Sequence, residues 1–193
     1  MVGMTGPGGD DVGSGDAMRE RLLVHRRTPL PLAPARGHLI VPESVSISTT
    51  TALRGFEGPD GSHEGIAFWA GRQVGDDQIV AAVVVPQAEH GRQFVRVSAD
   101  QIGEVAYQAR MRRLVVLAQV HSHPGLDTRH SDADDDLVLM AHEGMFSIVV
   151  GRYGEGGITP ELGAGLHQFQ NGRWTQVSDA DTSLIVVSAE LRS

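Results

Sequence analysis

The stretch Gln119-Val-His-Ser-His-Pro-Gly-Leu-Asp-Thr-Arg-His-Ser-Asp-Ala-Asp-Asp-Asp136 decides how this chain reads. It continues an apolar run, Leu114 to Val120, that predicts a strand buried on both faces. His121 and His123 stand at i and i+2 directly after that run, and on an extended backbone this spacing puts both rings on one face. Pro124 ends the strand and turns the chain outward. Two imidazoles held together at a strand end make a seat for a divalent metal. With no cysteine in the chain, zinc there needs His and carboxylate ligands. Five aspartates, Asp127, Asp132, Asp134, Asp135 and Asp136, are in range to supply a third ligand. Ser131 and Asp134 also have the Ser-x-x-Asp spacing of a capping box, and an Asp-rich first turn suits a helix dipole. The two roles are compatible. A helix start aimed at the His pair brings Asp134 within ligand reach and leaves Ser131 facing the substrate.

Outward from this motif the pattern is that of an α/β domain. Val41 to Leu53 predicts a helix, with Pro42 near its start and Arg54-Gly55 at its end. A turn, Gly58-Pro-Asp-Gly-Ser62, leads to a short strand, Gly65 to Trp69, closed by Ala70-Gly71. Ile79 to Val85 is apolar on both faces, which predicts a central strand, and Pro86 stops it. After a short extended piece, Phe94 to Val97, Ser98 caps a helix reaching about Arg113, with Ile102, Val105, Ala106, Ala109 and Met111 on its buried side. Beyond the motif, Ser131 to about His142 predicts a third helix and Phe146 to Val150 a strand. Leu166 to Phe169 and Arg173 to Val177 flank Asn171-Gly172, a hairpin signal, and Ile185 to Ala189 is a candidate edge strand. At the other end, Gly3 to Gly15 lacks hydrophobic periodicity and is expected to be disordered. Met18 to Arg27 suits a short helical or extended arm, and Pro29, Pro31 and Pro34 impose an extended linker. The expected organisation is an arm over 1–36, one domain over 37–178 and a C-terminal extension over 179–193.

Composition narrows the function. The chain has 193 residues, 16 basic against 24 acidic, a formal charge of −8 and a pI near 5.5, which argues against nucleic acid or an anionic membrane as partner. The lack of Cys removes disulfides, thiol nucleophiles and thiolate metal sites together. No run of 18 apolar residues and no apolar leader is present, so a soluble cytoplasmic protein is expected. All 16 basic residues are Arg. Codon usage in a GC-rich genome accounts for that, and so does escape from lysine modification, since only Lys offers a nucleophilic ε-amine. Trp69 and Trp174 are read as core, and His25, His38, His90 and His167 as ordinary surface or satisfied histidines. His63 and His130 adjoin candidate site residues and are placed to orient ligands.

His121-Ser-His-Pro124, six intervening residues, then Ser131-Asp-Ala-Asp134 resembles the His-x-His-Pro-x6-Ser-x-x-Asp signature of the JAMM/JAB (MPN-type) zinc metallopeptidases. Glu64, in His63-Glu-Gly-Ile-Ala-Phe-Trp-Ala-Gly71, stands where that family carries an upstream glutamate, though Gly65 follows it without the longer gap many members have. The likeness covers about residues 38 to 152. It implies an MPN/JAB-type α/β fold, a central mixed sheet flanked by helices with cytidine-deaminase-like layering. It further implies zinc on His121, His123 and Asp134, with a water as fourth ligand. Glu64 would then be the general base and Ser131 the oxyanion donor. The implied activity is cleavage of a peptide or isopeptide bond at the C-terminus of a ubiquitin-like protein, beside enzymes of a conjugation pathway. Release of an amino acid from a sulfur-carrier protein is the alternative. An inactive MPN scaffold fits less well, because all five catalytic positions are filled. Glu57, the rival for the base, lies in a turn without a following strand.

Overall fold

Residues 29–136 and 141–188 are described by a computed structural model. The expected disorder of Gly3 to Gly15, the arm from Met18 to Arg27, positions 137–140 of the third helix and Ala189 lie outside the described residues. The chain runs through Leu32–Ala33 (β1), Leu39–Pro42 (β2), Glu43–Arg54 (α1), a small ribbon of Glu57–Gly58 (β3) and Gly61–Ser62 (β4), Ile66–Val74 (β5) and Asp77–Val84 (β6). A hairpin of Glu89–Gly91 (β7) and Phe94–Arg96 (β8) leads to Ala99–Met111 (α2), Val115–Ser122 (β9), Asp132–Asp136 (α3) and Phe146–Val150 (β10). Gly165–Gln170 (β11), Arg173–Val177 (β12), Ala180–Ser183 (α4) and Leu184–Val187 (β13) complete it.

Among the described residues, nine strands join one mixed sheet in the order β1-β12-β11-β10-β9-β5-β6-β2-β13. β9 lies parallel to β10 and antiparallel to β5, and these are the strands that frame the site. All of β10, and all of β9 except Val115, is buried, as expected of strands covered on both faces. The pleat of β5 divides two cores. Trp69 packs with Val45 and Leu53 of α1, Leu117 and Ile148, while Phe68 and Ala70 pack with Ile102, Val105 and Ala109 of α2 and with Trp174. The two long helices thus cover opposite faces of the sheet. The Trp69 indole would strand a donor at the centre, but it donates to Thr49 Oγ1 at 2.7 Å, which donates to the Val45 carbonyl at 2.7 Å.

Several elements differ from expectation for identifiable reasons. The first helix begins at Glu43, not Val41, because Val41 precedes a proline and is drawn into parallel pairing in β2. β6 sits between β5 and β2 as expected, but only one face is covered, and Ile79 is 40% exposed. Met111 is 64% exposed and Ala106 half-buried, so α2 buries the narrower seam Ile102–Val105–Ala109. The third helix does not reach His142. Its Nε2 is instead in hydrogen-bond contact with the Val116 carbonyl at 2.9 Å, and Gly144 turns the chain at φ 83°. The proline stretch is extended, yet it adds β1 to the sheet edge, parallel to β12, where Gln170 Nε2 donates to the Pro34 carbonyl at 2.9 Å. Asn171 (φ 54°) and Gly172 (φ 76°) form the expected tight turn between β11 and β12. No helix among the described residues is long and apolar enough to cross a membrane.

Candidate metal centre

His121 lies in the extended end of β9, and His123 follows one residue beyond it. Ser122, between them, points the opposite way and zips the motif to the segment that carries Glu64. Its Oγ accepts the Gly65 N–H at 2.9 Å, and its own N–H donates to the Gly65 carbonyl at 3.0 Å. His123 Nδ1 donates to the Asp127 carbonyl at 2.8 Å, which selects the tautomer that leaves Nε2 facing the site. Across from the rings, Ser131 N–H donates to Asp134 Oδ2 at 2.6 Å and Asp134 N–H donates to Ser131 Oγ at 3.2 Å. That reciprocal pair is a capping box, and it also aims the carboxylate. Asp134 Oδ2 is 3.2 Å from His123 Nε2, and Oδ1 is 3.3 Å from His121 Nε2.

The second of these contacts is out of hydrogen-bond alignment, so His121 Nε2 is a fully buried nitrogen without a hydrogen-bond partner. One ligand atom from each of His121, His123 and Asp134 lies within 4.8 Å of the others. Two imidazoles and one carboxylate, converging on a desolvated spot where one nitrogen is orphaned, are a donor set that fits zinc with a coordination position to spare. Two of the other aspartates are paired elsewhere. Asp127 pairs with Arg129 at 2.6 and 2.8 Å, which lowers its carboxyl to about 2, and Asp135 Oδ1 meets His130 Nδ1 at 3.0 Å. Asp132 is exposed.

The charges respond to this crowding. Burial opposes ionisation of Asp134, but the charge of His121 and the charge and hydrogen bond of His123 outweigh it and hold the carboxyl well below its ordinary value. Burial also opposes protonation of His123, yet the Asp134 bond and charge lift it to about 9 in the metal-free site. Glu64, buried immediately before β5, is pushed up to about 8 by desolvation, with His123 opposing and Asp134 reinforcing. Glu57 is exposed on β3.

His167, read from the sequence as an ordinary histidine, sits close to the centre. His167 is buried, stacks on His130 at 4.1 Å and has an unpartnered Nδ1, and burial holds it well below its ordinary value and therefore neutral. His130 in turn meets Ser147 Oγ on β10 at 2.8 Å as well as Asp135, so it braces the start of α3 against the sheet. His90 reaches His63 at 2.9 Å, and His63 reaches Asp60 at 2.6 Å. The register Ser147↔His167 is what would have revealed His167, and that pairing is not written in either strand alone.

Residues 48–159 match the family model of prokaryotic homologues of the JAB domain. A probable metalloprotease, y4jG, of Sinorhizobium fredii is 35% identical over 108 residues, covering 54% of this chain and 65% of that protein. The solution structure of a protein from Desulfitobacterium hafniense shares the fold, with a TM-score of 0.58 at 15% identity over 80% of this chain and 95% of that one. A JAB1/MPN domain protein of Archaeoglobus fulgidus aligns with a TM-score of 0.43 at 18% identity, covering 77% of this chain and 96% of its own. With more than half of its length matched by one family model, and a mixed sheet carrying the His-x-His strand at its centre, this chain belongs to the JAMM/JAB family, among the prokaryotic JAB-domain homologues.

Proposed function

We propose that this protein is a zinc-dependent peptidase that hydrolyses a peptide or isopeptide bond at the C-terminus of a ubiquitin-like protein in the cytoplasm. One observation carries the hydrolytic part: two imidazoles and the Asp134 carboxylate converge around the orphaned His121 Nε2, with the buried carboxyl of Glu64 coupled electrostatically to the same group. The substrate class rests on family membership and on the acidic, Lys-free composition suited to life beside a lysine-conjugating system.

Zinc held by His121, His123 and Asp134 supplies a Lewis acid that acidifies water and polarises a carbonyl. The chain's own groups do the rest. Glu64 accepts the proton of the attacking water on its carboxylate and delivers it to the departing amine nitrogen. Burial is what tunes it. A carboxyl near 8 in the metal-free site is a far better base than an exposed glutamate, and a nearby cation draws it down toward ionisation at neutral pH. Ser131 Oγ accepts a cap bond from Asp134, and because a hydroxyl both accepts and donates, it can also donate to the oxyanion.

The test is hydrolysis of a ubiquitin-like protein fused through its C-terminus to a reporter amine, with a sulfur-carrier fusion as the second substrate. Zinc-loaded protein should cleave, a chelator should stop it and zinc should restore it. Glu64→Gln should retain zinc and lose turnover by a factor of about 10² to 10⁴. Wild-type activity in Glu64→Gln, or zinc-independent cleavage, would defeat the reading.

A further inference from the structure

We infer that Tyr153 is a positioning residue that fixes Glu64 from outside the metal centre; this rests on Glu64 acting as the base proposed above. Three consecutive residues, Arg152 (φ 55°), Tyr153 (φ 54°) and Gly154 (φ 87°), lie in the left-handed region. Gly154 is suited to it, and a Cβ there would also meet Leu53 Cβ at 2.7 Å. Arginine and tyrosine are not suited to it, and strain of this kind persists only where the surroundings enforce it.

The conformation lets one residue hold two parts of the site. Tyr153 N–H donates to the His123 carbonyl at 2.8 Å, next to the Arg152 N–H that donates to the Gly125 carbonyl at 2.9 Å. Its hydroxyl donates to the Arg92 carbonyl at 3.1 Å, in the turn between β7 and β8. The adjacent carbonyl, Gly91, accepts the Glu64 N–H at 2.9 Å, and His90 of the same hairpin contacts His63. Pairing of β5 with β9 begins only at Ile66, so Glu64 lies outside that ladder and its amide is held from the hairpin side. Tyr153 thus ties the loop of a metal ligand to the hairpin that holds the base, and sets the distance between them.

Tyr153→Phe removes the hydroxyl and keeps the ring and backbone. Zinc content and melting temperature should stay near wild type, while hydrogen exchange at the Glu64 amide, followed by NMR, should speed up about tenfold. On the fusion substrate kcat should fall about tenfold with KM within about twofold, as expected when only transition-state alignment is lost. Tyr153→Asn, which tolerates the left-handed backbone but lacks the reach, should behave alike. Unchanged exchange at Glu64, exchange raised equally across the whole sheet, or faster exchange with unchanged kcat would each overturn the inference. A wild-type chain that binds zinc and cleaves nothing counts against the proposed activity, and the exchange measurement then decides the tether by itself.

Discussion

At Asp134 a cap and the proposed metal-ligand position coincide for a geometric reason. The Ser131 N–H at the helix start donates to Oδ2, 2.6 Å away, and that bond holds both carboxylate oxygens toward His121 and His123. The two roles separate by substitution. Asp134→Asn keeps an acceptor for Ser131 but loses the charge, so the cap should survive while zinc affinity falls more than about 100-fold. Asp135→Ala should keep zinc, since its partner is His130. Zinc content after dialysis against a graded chelator checks both, and full occupancy in Asp134→Asn would move the ligand to another aspartate.

The elements act on the site through backbone approach. On β11, a Cβ at Gly165 would stand 1.9 Å from the Thr128 carbonyl, in the loop whose Asp127 carbonyl orients His123. Gly165→Ala should therefore leave the strand paired but displace the loop, and zinc affinity should drop about 10- to 100-fold, as when an outer support of a metal ligand is lost. Competition with a chromophoric chelator measures it, and unchanged affinity would mean the loop adapts elsewhere. The start of α3 offers the complementary case. Ser131→Ala should cost about 1 kcal/mol of stability through the cap, and kcat should fall about 100-fold with zinc retained. If turnover in the folded variant is unchanged, Ser131 is a cap alone.

Across the whole molecule, the buried charges link stability to pH. Glu64 is raised from 4.5 to about 8 and His123 from 6.5 to about 9, so the folded metal-free chain holds protons that the unfolded chain has released. The Glu64 contribution is complete below 4.5 and lost as pH rises through about 8, and that of His123 is complete below 6.5 and lost through about 9. Asp134 acts in the opposite sense: its contribution is present above 3.8 and lost as pH falls through its lower folded value. His167, held neutral by burial, offsets the Glu64 slope below 6.5, so zinc-stripped protein should keep its stability to about pH 6.5 and lose it toward pH 9. The gain in melting temperature on adding zinc should grow over that same rise, because bound metal needs a deprotonated His123. Scanning calorimetry with and without zinc tests this, and a flat metal-free profile from about pH 6.5 to 9 would refute it.

The sequence alone determined whatever depends on near neighbours in the chain. The i, i+2 histidines share a face because an extended backbone alternates, and Ser131 with Asp134 forms a cap because three residues span a helical turn. The strand Phe146–Val150 and the Asn171-Gly172 turn were legible on the same local grounds. Spacing left five aspartates open and the resemblance implied Asp134; the tertiary structure is what sets the Asp134 carboxylate against His121 and His123, since that depends on where α3 starts relative to β9. It also decided that His167 lies beneath the centre and that the hairpin at Glu89–Arg96 holds Glu64, because sheet order and long loops bring together residues whose spacing carries no signal. The non-helical backbone at His142 belongs there too. The His142 contact with Val116 and the turn at Gly144 outweigh a helical pattern, and that competition is settled by packing partners far away in the chain.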